Sequence, residues 1–162
     1  MFVELAGKFW RRMPKRFRRW GVLLKESCFT VTAGAILMDD RGRILLLEHR
    51  FRPGSGWGIP GGFLKPGEQP EQALRRELRE EIGLEVESVE VAFARTLQAY
   101  NQVEIIFRCR PRNNWNNRLL PQNHEISRAE WFALDSLPQG LTNDQRALIH
   151  RAASVNNLKP NT

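Results

Sequence analysis

The chain has 162 residues, 41% hydrophobic and 27% charged, which suits one domain with a short extension and is too apolar for a disordered chain. Its longest apolar runs are only a few residues, so no segment is expected to span a bilayer. Two cysteines, Cys28 and Cys109, exclude a disulfide scaffold and a four-cysteine zinc site, and reduced thiols point to the cytoplasm.

The net charge of +7 lies in residues 1–25, where eight basic residues meet one acid, Glu4; the remainder holds 17 basic and 17 acidic groups. The basic character therefore belongs to an N-terminal arm, residues 1–26, and not to the body, residues 27–162. On a helix, Phe2, Leu5, Phe9, Met13, Phe17, Trp20 and Leu24 share one side, with Arg11, Lys15, Arg18 and Lys25 opposite. Pro14 interrupts the run by removing a backbone donor. No continuous apolar stretch follows the charges, so the arm does not read as a signal peptide. Its aromatic stripe suits docking on the body or on a second subunit, as in a homodimer. An anionic membrane surface is the next candidate partner. So many aromatics weaken a purely electrostatic nucleic-acid contact.

In the body, residues 29–38 read as a strand, 39–42 as a turn and 43–49 as the return strand of a hairpin. Residues 53–62 are rich in glycine and proline but contain Trp57 and Ile59, which marks a shaped loop. Residues 70–82 read as a helix that starts at Pro70 and is capped by Gly83. Strands are expected over 86–96 and 103–110, with a polar loop over 111–123. A short strand over 130–133 and a final helix over 143–154, capped by Thr142 or Asn143, complete the pattern. The mixture predicts an α/β or α+β sandwich.

Chemistry concentrates in residues 62–84, GFLKPGEQPEQALRRELREEIGL. Leu74, Leu78 and Ile82 form a core stripe on the helix. Glu77, Glu80 and Glu81, at i, i+3 and i+4, crowd an adjoining face and repel one another. A hard divalent cation relieves that repulsion, and oxygen-only ligands suit Mg²⁺ or Mn²⁺. Arg75, Arg76 and Arg79 offer the alternative of ordinary surface pairing. Glu68 just before the helix, and Gly61-Gly62, which permit close backbone approach, shift the balance towards a metal site.

The segment resembles the Nudix box, Gly-x5-Glu-x7-Arg-Glu-U-x-Glu-Glu-x-Gly-U with U aliphatic. Gly62, Glu68, Arg76, Glu77, Leu78, Glu80, Glu81, Gly83 and Leu84 fill all nine constrained positions. The resemblance covers residues 28–154 and implies an α/β/α sandwich with a mixed sheet. It also implies metal-dependent hydrolysis of a nucleoside diphosphate linked to another group. By the same resemblance Glu80 and Glu81 ligate the metal, Glu77 is a ligand or base, and Arg76 orients Glu77. Glu68 supports the site or holds a further ion, and the Gly61 carbonyl is a ligand. In similar family members a downstream acid completes the metal site, and Glu125 is the residue so placed here.

For the substrate, Trp57, Phe63 and Tyr100 are candidates to stack on a base, although Trp57 equally suits bracing the glycine-rich loop. Arg50 and Arg52 are candidates for phosphate contact. Similar family members acting on dinucleoside polyphosphates often carry a tyrosine near the place of Tyr100, where ADP-ribose hydrolases often carry a proline. Two rivals remain: a non-nucleotide diphosphate or an RNA 5′ end as substrate, and a nucleotide-binding or regulatory module without turnover.

Overall fold

The computed structural model describes residues 11–15, 17, 26–51, 54, 56–112, 119 and 121–154. Among the described residues from 26 onward the elements are, in order, β1 (Thr30–Leu37), β2 (Ile44–His49), β3 (Trp57–Gly58), β4 (Gly61–Phe63), α1 (Pro70–Ile82), β5 (Val86–Leu97), β6 (Gln102–Pro111), β7 (Ile126–Phe132) and α2 (Asn143–Ser154). A short 3₁₀ turn over Gln98–Tyr100 joins β5 to β6.

The strands form two sheets. One is mixed, in the order β4-β1-β6-β5, with β1 and β6 parallel; the other is antiparallel, in the order β3-β2-β7. Side-chain alternation sorts both sheets into two faces. Ala33, Ala35 and Leu37 of β1 and Leu45 and Leu47 of β2 pack with Ala73, Leu74, Leu78 and Ile82 of α1. Ile36, Ile44 and Leu46 point the other way and pack with Leu148, Ile149 and Ala152 of α2. The result is the expected α/β/α sandwich.

The hairpin expected between the first two strands is not formed. Asp39 builds the turn, its Oδ1 accepting the Arg41 and Arg43 amides at 3.0 and 2.8 Å. After one bridge, Met38 to Ile44, the strands part into different sheets. The reason is burial on both faces: Ile44 to Leu47 are all buried, as a central strand requires. Each strand then needs a partner on both edges. The glycine-rich segment supplies two of them, β3 for β2 and β4 for β1, where the sequence predicted only a loop. Likewise β7 starts four residues before the short strand expected there, paired along β2.

Helix α1 has the predicted limits. Gln69 and Gln72 exchange backbone and side-chain bonds across its first turn, with Pro70 following. At the other end Gly83 takes φ 67°; its amide donates to Arg79 O at 3.0 Å and that of Leu84 to Leu78 O at 3.1 Å. This double bond pattern closes the helix with a left-handed residue that favours glycine. Burying Leu74, Leu78 and Ile82 contributes about 1.5–3 kcal/mol each. That outweighs the tenths of a kcal/mol by which the neighbouring glutamates repel.

At the second helix, Thr142 is the cap, its Oγ1 accepting the Gln145 amide at 3.2 Å. The aromatic stripe of the basic arm lies outside the described residues, apart from Met13 and the exposed Phe17.

Candidate active site

Two adjacent glycines let the acidic side of α1 lie against β4. Gly61 has φ 140°, and a Cβ there would sit 2.2 Å from the Ala33 carbonyl oxygen. Its amide donates to Glu81 Oε2 at 3.2 Å, and Glu81 is 5% exposed. A Cβ on Gly62 would lie 2.4 Å from Glu77 Oε1. The two positions fail differently under substitution. Gly61→Ala strikes immovable backbone and is expected to cost about 1–3 kcal/mol of stability. Gly62→Ala strikes the end of a flexible side chain, so it should melt near wild type while displacing the Glu77 carboxylate. Parallel melting and turnover measurements check the contrast.

Arg76 is the hub of the site. Its Nε and Nη2 donate to Glu68 Oε1 and Oε2 at 2.8 and 3.0 Å. Its Nη1 donates to Glu77 Oε1 at 2.7 Å and Glu80 Oε2 at 3.2 Å. Nη2 also reaches the Phe63 carbonyl at 3.0 Å. One guanidinium thus ties the loop before α1, the end of β4 and three carboxylates. Hydrogen bonding to Glu68 is the main force that raises the Arg76 pKa further.

Glu68 is held down to about 2 from its ordinary 4.5, chiefly by Arg76 and then by the Lys65 amide, whose bond to Oε2 is 2.9 Å. A depressed carboxylate contributes stability that is present above its unfolded pKa and lost as the pH falls through its folded one. The melting-temperature gap between wild type and Glu68→Gln should therefore be constant above pH 5, shrink between about 4.5 and 2, and vanish below. A gap that does not change over that window overturns the assignment.

Does this donor set fit a metal? As placed, no group of three or more acidic, histidine or cysteine side chains among the described residues is arranged to hold an ion. Arg76 stands between Glu77 and Glu80. The chemistry of the set does fit a hard cation. It is all oxygen, and three glutamates share one guanidinium with Glu81 beside them on the Gly61 amide, while Lys65 Nζ is near Glu80 only at 3.7 Å. Glu80 is the least held of the hub's acids, at the longest distance and with its side chain 52% exposed.

The remaining candidates are scattered. Glu125 is exposed and placed by its backbone, its carbonyl accepting the Arg50 amide at 2.8 Å and its own amide donating to Asn123 Oδ1 at 3.1 Å. Its carboxylate joins no metal-holding group among the described residues. Arg50 is exposed, and Arg52 lies outside the described residues. Phe63 and Tyr100 are exposed aromatics. Of the two readings of Trp57, base stacking and bracing of the glycine-rich segment, its surroundings match bracing. It is buried, its ring set edge-on to Phe132 at 5.1 Å with the Arg128 guanidinium 5.2 Å from its centroid.

On the α2 side of β4, a cleft of about 250 Å³ is lined by Gly61, Gly62 and Phe63, by Thr32 and Gly34, and by Gln102, Glu104 and Gln145, among others. Sequence reasoning passed over Gln102, Glu104 and Gln145. The available signal was the alternation of polar 102 and 104 with apolar 103 and 105 at the start of the expected strand. A larger cavity, about 640 Å³, opens at the far end of β1 and β6 among Asp39, Asp40, Glu87, Glu90, Arg108 and Arg110. It touches none of the residues around Arg76, so of these two the smaller cleft lies beside the glycines that meet Glu77 and Glu81.

A family model described as the NUDIX domain matches residues 29–152. The NAD-capped RNA hydrolase NudC of Pseudomonas aeruginosa is 34% identical over 105 residues, 64% of this chain and 36% of that protein. The 8-oxo-dGDP phosphatase of Homo sapiens is 30% identical over 133 residues, 81% of this chain and 40% of that protein. The chain thus spans under half the length of these curated relatives. Among solved structures, the MutT NUDIX hydrolase from Burkholderia pseudomallei is similar with a TM-score of 0.66 at 30% identity, covering 77% of this chain and 98% of that one.

Proposed function

The chain belongs to the Nudix family, and we propose that it hydrolyses a diphosphate bond in a nucleoside diphosphate linked to another group. The observation that carries this reading is the seating of Glu77 and Glu81 against the two glycines of β4, with Arg76 fixing the first of them. The relatives named above act on NAD-capped RNA and on 8-oxo-dGDP by their names, and both are nucleoside diphosphate chemistry.

Glu80 and Glu81 would hold the metal, with Glu77, the Gly61 carbonyl, Glu68 and Glu125 as further donors. A bound Mg²⁺ or Mn²⁺ supplies charge neutralisation of the phosphates and a more acidic attacking water. The protein's part is arrangement. Arg76 keeps Glu77 in one orientation, as ligand or base. Glu80 turns from Arg76 towards the site, which its exposure permits. Phe63 and Tyr100 offer ring faces to the substrate, and Arg50 and Arg52 offer charge to its phosphates. No helix among the described residues is long and apolar enough to cross a membrane. With both thiols free, we assign the protein to the cytoplasm.

One observation favours a second reading, a nucleotide binder without turnover: Arg76 pairs with three of the glutamates where they stand. The two readings separate on a panel of NAD, ADP-ribose, nucleotide sugars, dinucleoside polyphosphates and NAD-capped RNA, with products identified by mass. The hydrolase gives a nucleoside monophosphate end with Mg²⁺ or Mn²⁺ and nothing in EDTA. Binding without products on the whole panel establishes the binder.

A further inference from the structure

Cross-strand register builds the floor of the cleft beside β4. Phe63, Thr32, Glu104 and Arg95 pair in a row across β4, β1, β6 and β5, so their side chains leave the sheet on one face. In the next row Gly61 pairs with Gly34, and Gly34 with Ile106. Ile59 lies over Gly34, where a Cβ would come within 2.8 Å of its Cδ1. The cleft therefore has an apolar end at Ile59, an exposed aromatic edge at Phe63 and polar groups between.

Those polar groups are fixed. Glu104 Oε2 accepts Arg95 Nε at 2.6 Å. Arg95 in turn forks onto Asp144 of α2 at 2.7 and 2.8 Å, which locks the Glu104 rotamer and neutralises part of its charge. Gln102 Nε2 donates to Thr32 Oγ1 at 2.8 Å. Gln145 Oε1 accepts the Ile59 amide at 3.3 Å. All three residues line the cleft, and these bonds leave Glu104 Oε1 and Gln102 Oε1 as acceptors and Gln145 Nε2 as a donor.

We propose that Glu104, with Gln102 and Gln145, reads the base of the substrate and selects a guanine-type edge. Such an edge carries adjacent N1–H and N2–H donors for the carboxylate and amide oxygens, and an O6 acceptor for the Gln145 amide. Adenine presents a bare N1 to the carboxylate, which leaves both lone-pair bearers unsatisfied. β4 is the partition that joins the two functions. Gly61 and Gly62 line this cleft and also meet Glu81 and Glu77, so a base seated here delivers its phosphates across the strand. The inference rests on the reading of the site as one for nucleoside diphosphates.

The test is equilibrium binding of GMP and AMP to the full chain in EDTA, where neither metal nor turnover intervenes. Wild type should bind GMP about tenfold or more tightly than AMP. Glu104→Gln, which puts an amide where the carboxylate stood, should erase the preference. Gln145→Glu keeps the acceptor for the Ile59 amide but faces O6 with a carboxylate. It should weaken GMP while sparing AMP, and it serves if Glu104→Gln melts early. Equal affinities in wild type, no binding of either nucleotide, or a preference unchanged in both variants overturns the assignment. GMP preference together with no hydrolysis on the earlier panel supports the base reader and sinks the hydrolase alone.

Discussion

Glu81→Gln should fold and melt like wild type, or slightly higher, and lose roughly a hundredfold to a thousandfold in kcat/KM. The substitution is nearly isosteric, and the glutamine oxygen can still accept the Gly61 amide that now reaches Glu81 Oε2 at 3.2 Å. What disappears is one negative charge at a position 5% exposed. Keeping a carboxylate there costs folding energy, so its removal does not harm the fold. It does remove a charged donor from the place where the proposed reaction needs a hard cation. Kinetics over a range of Mg²⁺ concentrations, with a melting curve beside them, check both halves. Part of the lost rate should return at high metal. Full activity at ordinary Mg²⁺ shows that Glu81 is not a ligand.

The features that were legible in the sequence are those whose cause is local. Pro70 and Gly83 mark the ends of α1, and the spacing of Leu74, Leu78 and Ile82 against Glu77, Glu80 and Glu81 sets its two faces before any tertiary contact forms. Pairing between distant strands was not legible. Nothing near Asp39 says that β1 and β2 part after one bridge, because that depends on β4, β6, β3 and β7 arriving later in the chain. The same limit hid the cleft. Glu104 becomes a polar floor residue only when β6 lies parallel to β1 and Arg95 reaches α2. Trp57 shows the converse. Its place among glycines left base stacking and loop bracing both open, and two residues of β-pairing with β2 turn the ring inward onto Phe132.

Arg76 separates orientation from charge, and substitution there should show both at once. From the sequence it is a neighbour of Glu77 and lies one turn from Glu80; its clamp on Glu68, eight residues back, appears only in three dimensions. Arg76→Ala leaves Glu77 and Glu80 facing each other and frees the Phe63 carbonyl. The arginine side chain is 16% exposed, so solvent screens these losses only in part. We expect about 2–4 kcal/mol of lost stability and a fall in kcat with little change in KM, as the proposed role of positioning Glu77 requires. Arg76→Lys restores a positive charge without the planar fork. It should recover much of the stability and little of the rate, because a single ammonium cannot hold Glu68 with two bonds and still align Glu77. If the lysine variant recovers rate and stability equally, the site needs only a charge there. A loss of stability with kcat intact would make the hub a structural clamp and move the chemistry away from Glu77.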